Sequence, residues 1–171
     1  MGSPRGTLTA LQVELATEFA RRAPGFFLTG GAVLAGWELA HRTTDDLDLF
    51  TDDDEAMEMG ETALRGAAAE LGATVEAMTT SPDFRRFKIV RGRETLKIDL
   101  VRDRTPHLRP KVVKDGVRMD SIEEIFANKI CAFVGRSEIR DVIDLMLLER
   151  RGLRVEQHLG LARRKDGGAT P

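Results

Sequence analysis

Apolar residues recur at helical spacing near the start of the chain. Leu8, Leu11, Leu15 and Phe19 share one face of a helix predicted over Thr7 to Arg22, which Pro24-Gly25 ends. The run Phe26-Phe27-Leu28-Thr29 fits a buried strand, and Gly30-Gly31 turns the chain into a small-residue helix over Ala32 to Ala40. Asp46-Leu47-Asp48-Leu49-Phe50 alternates with period two and predicts a strand. Asp52-Asp53-Asp54-Glu55 reads as a helix N-terminus, where carboxylates cap N–H groups and complement the dipole. That helix runs to about Leu71 with Leu64, Ala67, Ala68 and Leu71 inward. Three strands follow over Thr74–Met78, Phe84–Val90 and Thr95–Val101, the last two joined as a hairpin by Arg91-Gly92-Arg93-Glu94.

After a loop holding Pro106 and Pro110, Ser121-Ile122-Glu123-Glu124 reads as a capping box opening a helix that ends at Gly135. A further helix is predicted from about Glu138 to Arg151, before Gly152, and the basic, glycine-rich tail over 161–171 is expected to fray. No repeat or linker interrupts the chain. The expectation is one α+β domain over 1–171: a small mixed sheet flanked by helices over about 26–118, then a C-terminal helical pair over about 121–160.

Composition narrows the class. The 171 residues are 42% hydrophobic and 32% charged, a balance that suits a folded globular chain. No stretch approaches the apolar length of a membrane helix, and MGSPRGTLT lacks a signal peptide's apolar region, so no membrane partner is expected. The single Cys131 excludes an internal disulfide, and a reducing, cytoplasmic setting is the default. The net charge of −2 conceals a split: residues 41–80 hold two basic groups against eleven acidic, and 81–118 hold twelve basic against five acidic. The split fits a metal-collecting region beside an anion-collecting one, although charge alone favours two solvated faces.

Candidate chemistry begins with Asp46 and Asp48. At i and i+2 of a strand their carboxylates share one face while Leu47 and Leu49 take the other. Alone, this is a solvated acidic edge or a pair whose repulsion a hard cation such as Mg²⁺ or Mn²⁺ relieves. Asp99, out of phase with Ile98 and Leu100, offers a third carboxylate for a phosphoryl-transfer site, or a partner for Lys97 or Arg102. As the third acid it also suits a general base for an attacking hydroxyl. Lys129 falls on the apolar stripe of its helix with Ile130 and Phe133, and so either snorkels outward or reaches an anion such as a triphosphate. Arg136, Arg140, Asp141 and Asp144 read as a surface ion-pair network. His41, His107 and His158 have no ligand spacing, and no P-loop follows Gly30-Gly31.

Leu28-Thr29-Gly30-Gly31 followed by His41-Arg42-Thr43-Thr44-Asp45-Asp46-Leu47-Asp48-Leu49-Phe50 resembles the AbiEii/AbiGii toxin family, within the DNA polymerase β-like nucleotidyltransferase superfamily. The likeness extends through Lys97-Ile98-Asp99, Ala127-Asn128-Lys129, Gly135-Arg136-Ser137, Arg140-Asp141-Val142-Ile143-Asp144 and Arg164-Lys165-Asp166-Gly167-Gly168. It implies a polymerase-β-like fold in which Thr29, Gly30 and Gly31 cradle an NTP's triphosphate and Asp46, Asp48 and Asp99 hold Mg²⁺ (or Mn²⁺). Lys129 and Arg42 would contact nucleotide phosphates, with Asp141 the acid of the last motif. The implied reaction moves an NMP from an NTP to a hydroxyl acceptor, tRNA among the candidates, in a toxin with an antitoxin encoded by a neighbouring gene. Alternative readings are an antibiotic-type, small-molecule nucleotidyltransferase and a catalytically silent nucleotide-binding module. With no Tyr and 5% aromatic residues, an RNA acceptor would be gripped through its phosphates and not by base stacking.

Overall fold

Period-two alternation builds the sheet that carries the site. The computed structural model describes residues 6–136 (backbone alone at 136) and 138–165. Within these, the chain up to Arg104 with Lys111–Met119 forms one compact unit, and Thr105–Pro110 with the chain from Asp120 onward forms a second.

The first unit opens with α1 (Ala10–Arg22), whose N-cap Thr9 and Gln12 complete a reciprocal capping box. Next come β1 (Phe27–Thr29) and a short α2 (Gly30–Val33) that widens into a π-helical turn over Leu34–Glu38. Gly30 and Gly31 are thus the first residues of the helix and not a turn ahead of it. β2 (Asp46–Thr51) leads to α3 (Asp54–Glu70), where Asp53 accepts from the Ala56 N–H at 2.9 Å as the acidic run predicts. β3 (Thr74–Thr80), β4 (Phe84–Arg91) and β5 (Glu94–Arg102) follow, then a hairpin of β6 (Val112–Lys114) and β7 (Val117–Met119).

All seven strands form one mixed sheet in the order β3-β4-β5-β2-β1-β7-β6. β2 lies parallel to β5 and antiparallel to β1. One sheet face is apolar: Leu47, Leu49, Phe87, Ile89, Leu96, Ile98 and Leu100 are all buried. The β6–β7 hairpin lies in a stretch expected to be loop. Its turn, Asp115-Gly116, has φ of 51° and 77°, the left-handed pair that a two-residue hairpin turn needs.

The second unit holds α4 (Ile122–Arg136), α5 (Ile139–Arg150) and α6 (Val155–Lys165). Its core includes Ile125, Phe126, Ile130, Leu148 and Ala162. The expectation that the chain frays from residue 161 is corrected for 161–165, which are helical; residues 166–171 and Ser137 lie outside the described residues. Only half of the predicted capping box forms. Ser121 Oγ accepts from the Glu124 N–H at 3.2 Å, while the Glu124 carboxylate turns away to accept from the Leu108 and Arg109 N–H groups at 3.1 and 3.0 Å and from Lys165. Those bonds tie the Thr105–Pro110 loop and the end of α6 to α4.

Glu124 and Lys165 are buried together, with side chains 1% and 7% exposed. Lys165→Met should cost about 3–5 kcal/mol, the usual result of stranding one member of a buried pair. Urea denaturation checks this, and an unchanged midpoint would mean that α6 does not hold Glu124.

Candidate active site

The site rests on strand register. β2 and β5 pair with Asp48 opposite Asp99 and Asp46 opposite Lys97, and Thr29 of β1 lies opposite Asp48 on the other side. With Leu47 and Leu49 buried, Asp46 and Asp48 emerge together on the other face, each half-buried. Asp46 is held from below: Gln12 Nε2 donates to the Thr44 carbonyl at 2.7 Å, and Thr44 Oγ1 donates to Asp46 Oδ1 at 2.8 Å. The capping box that starts α1 therefore also fixes the first aspartate.

Asp48 lies against Gly30. A Cβ at that glycine, whose φ is +68°, would stand 2.8 Å from Asp48 Oδ2. At Gly31 a Cβ would stand 3.0 Å from Arg42 Nη2 and 3.5 Å from Thr44 Oγ1. The two glycines thus let the start of α2 approach the carboxylate and the guanidinium closely. The structure places Thr29, Gly30, Gly31, Arg42, Asp46 and Asp48 near one another, the set named from the family resemblance.

Asp99 is on the same face but already engaged. It is 5% exposed, and Arg86 of β4 grips it with a fork, Nε and Nη2 donating to its two oxygens at 2.7 Å each. The bond to Asp99, reinforced by the charges of Asp46 and Asp48, pushes the Arg86 guanidinium above its ordinary value despite partial burial. Arg86 was missed in the sequence, although the signal was there. Counting back through the hairpin from Arg91 opposite Glu94 puts Arg86 opposite Asp99 and Lys88 opposite Lys97.

The donors suit a hard cation. Among the described residues no group of three or more His, Cys, Asp or Glu side chains is arranged to hold a metal ion alone. Two carboxylates on one strand face, without nitrogen or sulfur, fit Mg²⁺ or Mn²⁺, whose shell substrate phosphates and water ordinarily complete. The lone pairs of Asp99 not used by Arg86 remain available to a cation or a hydroxyl.

Lys129 and Asp141 belong to the second unit. Lys129 does not snorkel: its Nζ is 2.7 Å from Asp141 Oδ1 and 2.8 Å from Asp144 Oδ2. Both aspartates are 0% exposed, so the expected surface network is corrected to a buried ion triad. Arg140 does lie at the surface, bonded to Glu138 at 2.6 Å.

Residues 15–169 match the family described as "Nucleotidyl transferase AbiEii toxin, Type IV TA system". The fold is shared with solved structures of low sequence identity. JHP933 from Helicobacter pylori is 22% identical with a TM-score of 0.65, covering 96% of this chain and 74% of its own. The nucleotidyltransferase toxin MenT4 from Mycobacterium tuberculosis H37Rv is 15% identical with a TM-score of 0.66, covering 89% of this chain and 61% of its own. A sequence search of curated proteins finds no match.

Two substitutions test the geometry. Gly30→Ala puts a Cβ both into a left-handed backbone and against Asp48, and should lower stability by roughly 1–3 kcal/mol in thermal denaturation. Lys129→Met strands two buried carboxylates and should cost about 3–5 kcal/mol. A Lys129 acting purely as a phosphate contact would leave the melting temperature unchanged.

Proposed function

The chain belongs to the AbiEii family of nucleotidyl transferase toxins of type IV toxin–antitoxin systems, and from that premise we propose that it transfers an NMP from an NTP to an RNA hydroxyl, tRNA being the first acceptor to test. The observation that carries this reading is the close approach of the Gly30-Gly31 helix start to Asp48, beside Asp46 and Arg42. Backbone N–H groups, a guanidinium and two carboxylates at one place are what a metal-bound triphosphate requires.

In this reading Thr29, Gly30, Gly31 and Arg42 receive the phosphates, and Asp46 and Asp48 would hold Mg²⁺ (or Mn²⁺). The ion, when bound, supplies charge neutralisation on the phosphates. Asp99, fixed by Arg86, takes the proton of the attacking hydroxyl. The hydroxyl oxygen bonds to the α-phosphorus, the bond to the bridging oxygen breaks, and pyrophosphate leaves with that oxygen's electron pair. An antitoxin from a neighbouring gene is the proposed physiological counterpart. Among the described residues no helix is long and apolar enough to cross a membrane.

Incubation with each α-³²P-labelled NTP, Mg²⁺ and total tRNA should label the RNA. Asp48→Ala should lower the rate on the order of 10²-fold or more, the scale for losing one preorganised electrostatic contact. Equal labelling by the variant would overturn the assignment. Label on a small-molecule antibiotic and none on RNA would favour the antibiotic-type enzyme, and NTP binding without any transfer would favour the silent module.

A further inference from the structure

The exposed face of the sheet carries a second charge arrangement that the carboxylates do not explain. In one row across the strands, Asp46, Lys97, Lys88 and Glu76 are successive partners on β2, β5, β4 and β3. Two lysines therefore stand directly opposite each other on an antiparallel pair, an arrangement that costs stability. Little offsets it. Lys88 Nζ is 3.9 Å from Glu76 Oε2, beyond hydrogen-bond distance, and the exposed Lys97 side chain has no hydrogen bond or ion pair among the described residues. The pair borders a hollow of about 280 Å³ lined by Asp45, Met78, Lys88, Thr95, Leu96 and Lys97.

We propose that Lys88 and Lys97 form a phosphate subsite for the backbone of the acceptor RNA, across the carboxylates from the Gly30-Gly31 helix start. The inference rests on the nucleotidyl-transfer reading above. In an in-line displacement the entering and leaving oxygens lie on opposite sides of the phosphorus. Gly30, Gly31 and Arg42 lie on the β1 side of Asp48, where the leaving phosphates are assigned. The entering group therefore comes over β5 and β4, one to two strand spacings or roughly 5–10 Å away. That is where Asp99, the proposed base, and the opposed lysines are found. Such a face attracts a polyanion and repels a polycationic small molecule, so it favours a nucleic-acid acceptor over an aminoglycoside-like one.

The test compares the wild-type chain with the Lys88→Met/Lys97→Met double variant in binding a single-stranded oligoribonucleotide and, separately, an NTP with Mg²⁺. Loss of two phosphate contacts should weaken oligoribonucleotide binding and reduce the slope of log affinity against log salt by about 1.4, at ~0.7 per phosphate on a single strand. NTP affinity should stay within twofold, and the melting temperature should hold or rise as the opposed charges are removed. An unchanged RNA affinity and slope would overturn the subsite. An equal loss of NTP affinity would assign the lysines to the triphosphate and also overturn it. Failure of the underlying reading is separately visible: the wild-type chain would transfer no label to RNA, whatever the variant binds.

Discussion

The parallel pairing of β2 with β5 is the constraint on which the candidate site depends. It aligns Leu47 with Ile98 and Leu49 with Leu100 on one face, all four at most 3% exposed, and on the other face it unavoidably sets Asp48 beside Asp99. Fully burying one such aliphatic side chain contributes about 1.5–3 kcal/mol. Two carboxylates ~5 Å apart repel by roughly 3 kcal/mol at an effective dielectric constant of 20. Four buried aliphatics outweigh that repulsion, and a slip of one residue would exchange the faces entirely. The acidic face is therefore held by the apolar one, and Arg86 relieves part of its repulsion through the fork on Asp99.

The same logic explains what could be read in advance. β2 and β5 announce themselves by period two, and their phase correctly separates Asp46, Asp48 and Asp99 from the apolar face. The helical stripe of α4 correctly turns Lys129 inward, yet the sequence could not choose between snorkelling and pairing. That choice depended on Asp141 and Asp144 of α5 being buried against it, and acidic residues beside arginines look like surface. Glu124 was legible as a cap and proved to be a tie, because its partners, Leu108, Arg109 and Lys165, are distant in sequence. α6 was hidden by its basic end, where Arg163, Arg164 and Lys165 resemble a solvated tail although they suit a helix C-terminus. The β6–β7 hairpin carried a usable sign, Asp115-Gly116, but its strands of three residues are too short for periodicity to register.

The opposed blocks of charge along the chain resolve differently from either reading that the sequence left open. Much of the acidic and basic excess is spent on structure: Asp53 caps α3, Asp54 takes Arg102 and Arg104 at 2.8 Å each, Lys114 reaches Glu38, and Arg91 reaches Glu14 at 2.5 Å. Asp54 thus neutralises part of the basic block from within the acidic one, while Glu14 and Glu38 neutralise another part from residues 1–40. What stays concentrated is the set that alternation forces onto one side of three adjacent strands: Asp46 and Asp48 on β2, Lys97 and Asp99 on β5, Arg86 and Lys88 on β4. Negative charge prevails on β2 and positive charge on β4, with one of each on β5. A sheet gives this gradient a fixed direction, because neither strand order nor register can change without exposing the apolar face. The direction is the chemically informative part, since it separates the side that suits a cation and its phosphates from the side that suits the approach of another anion.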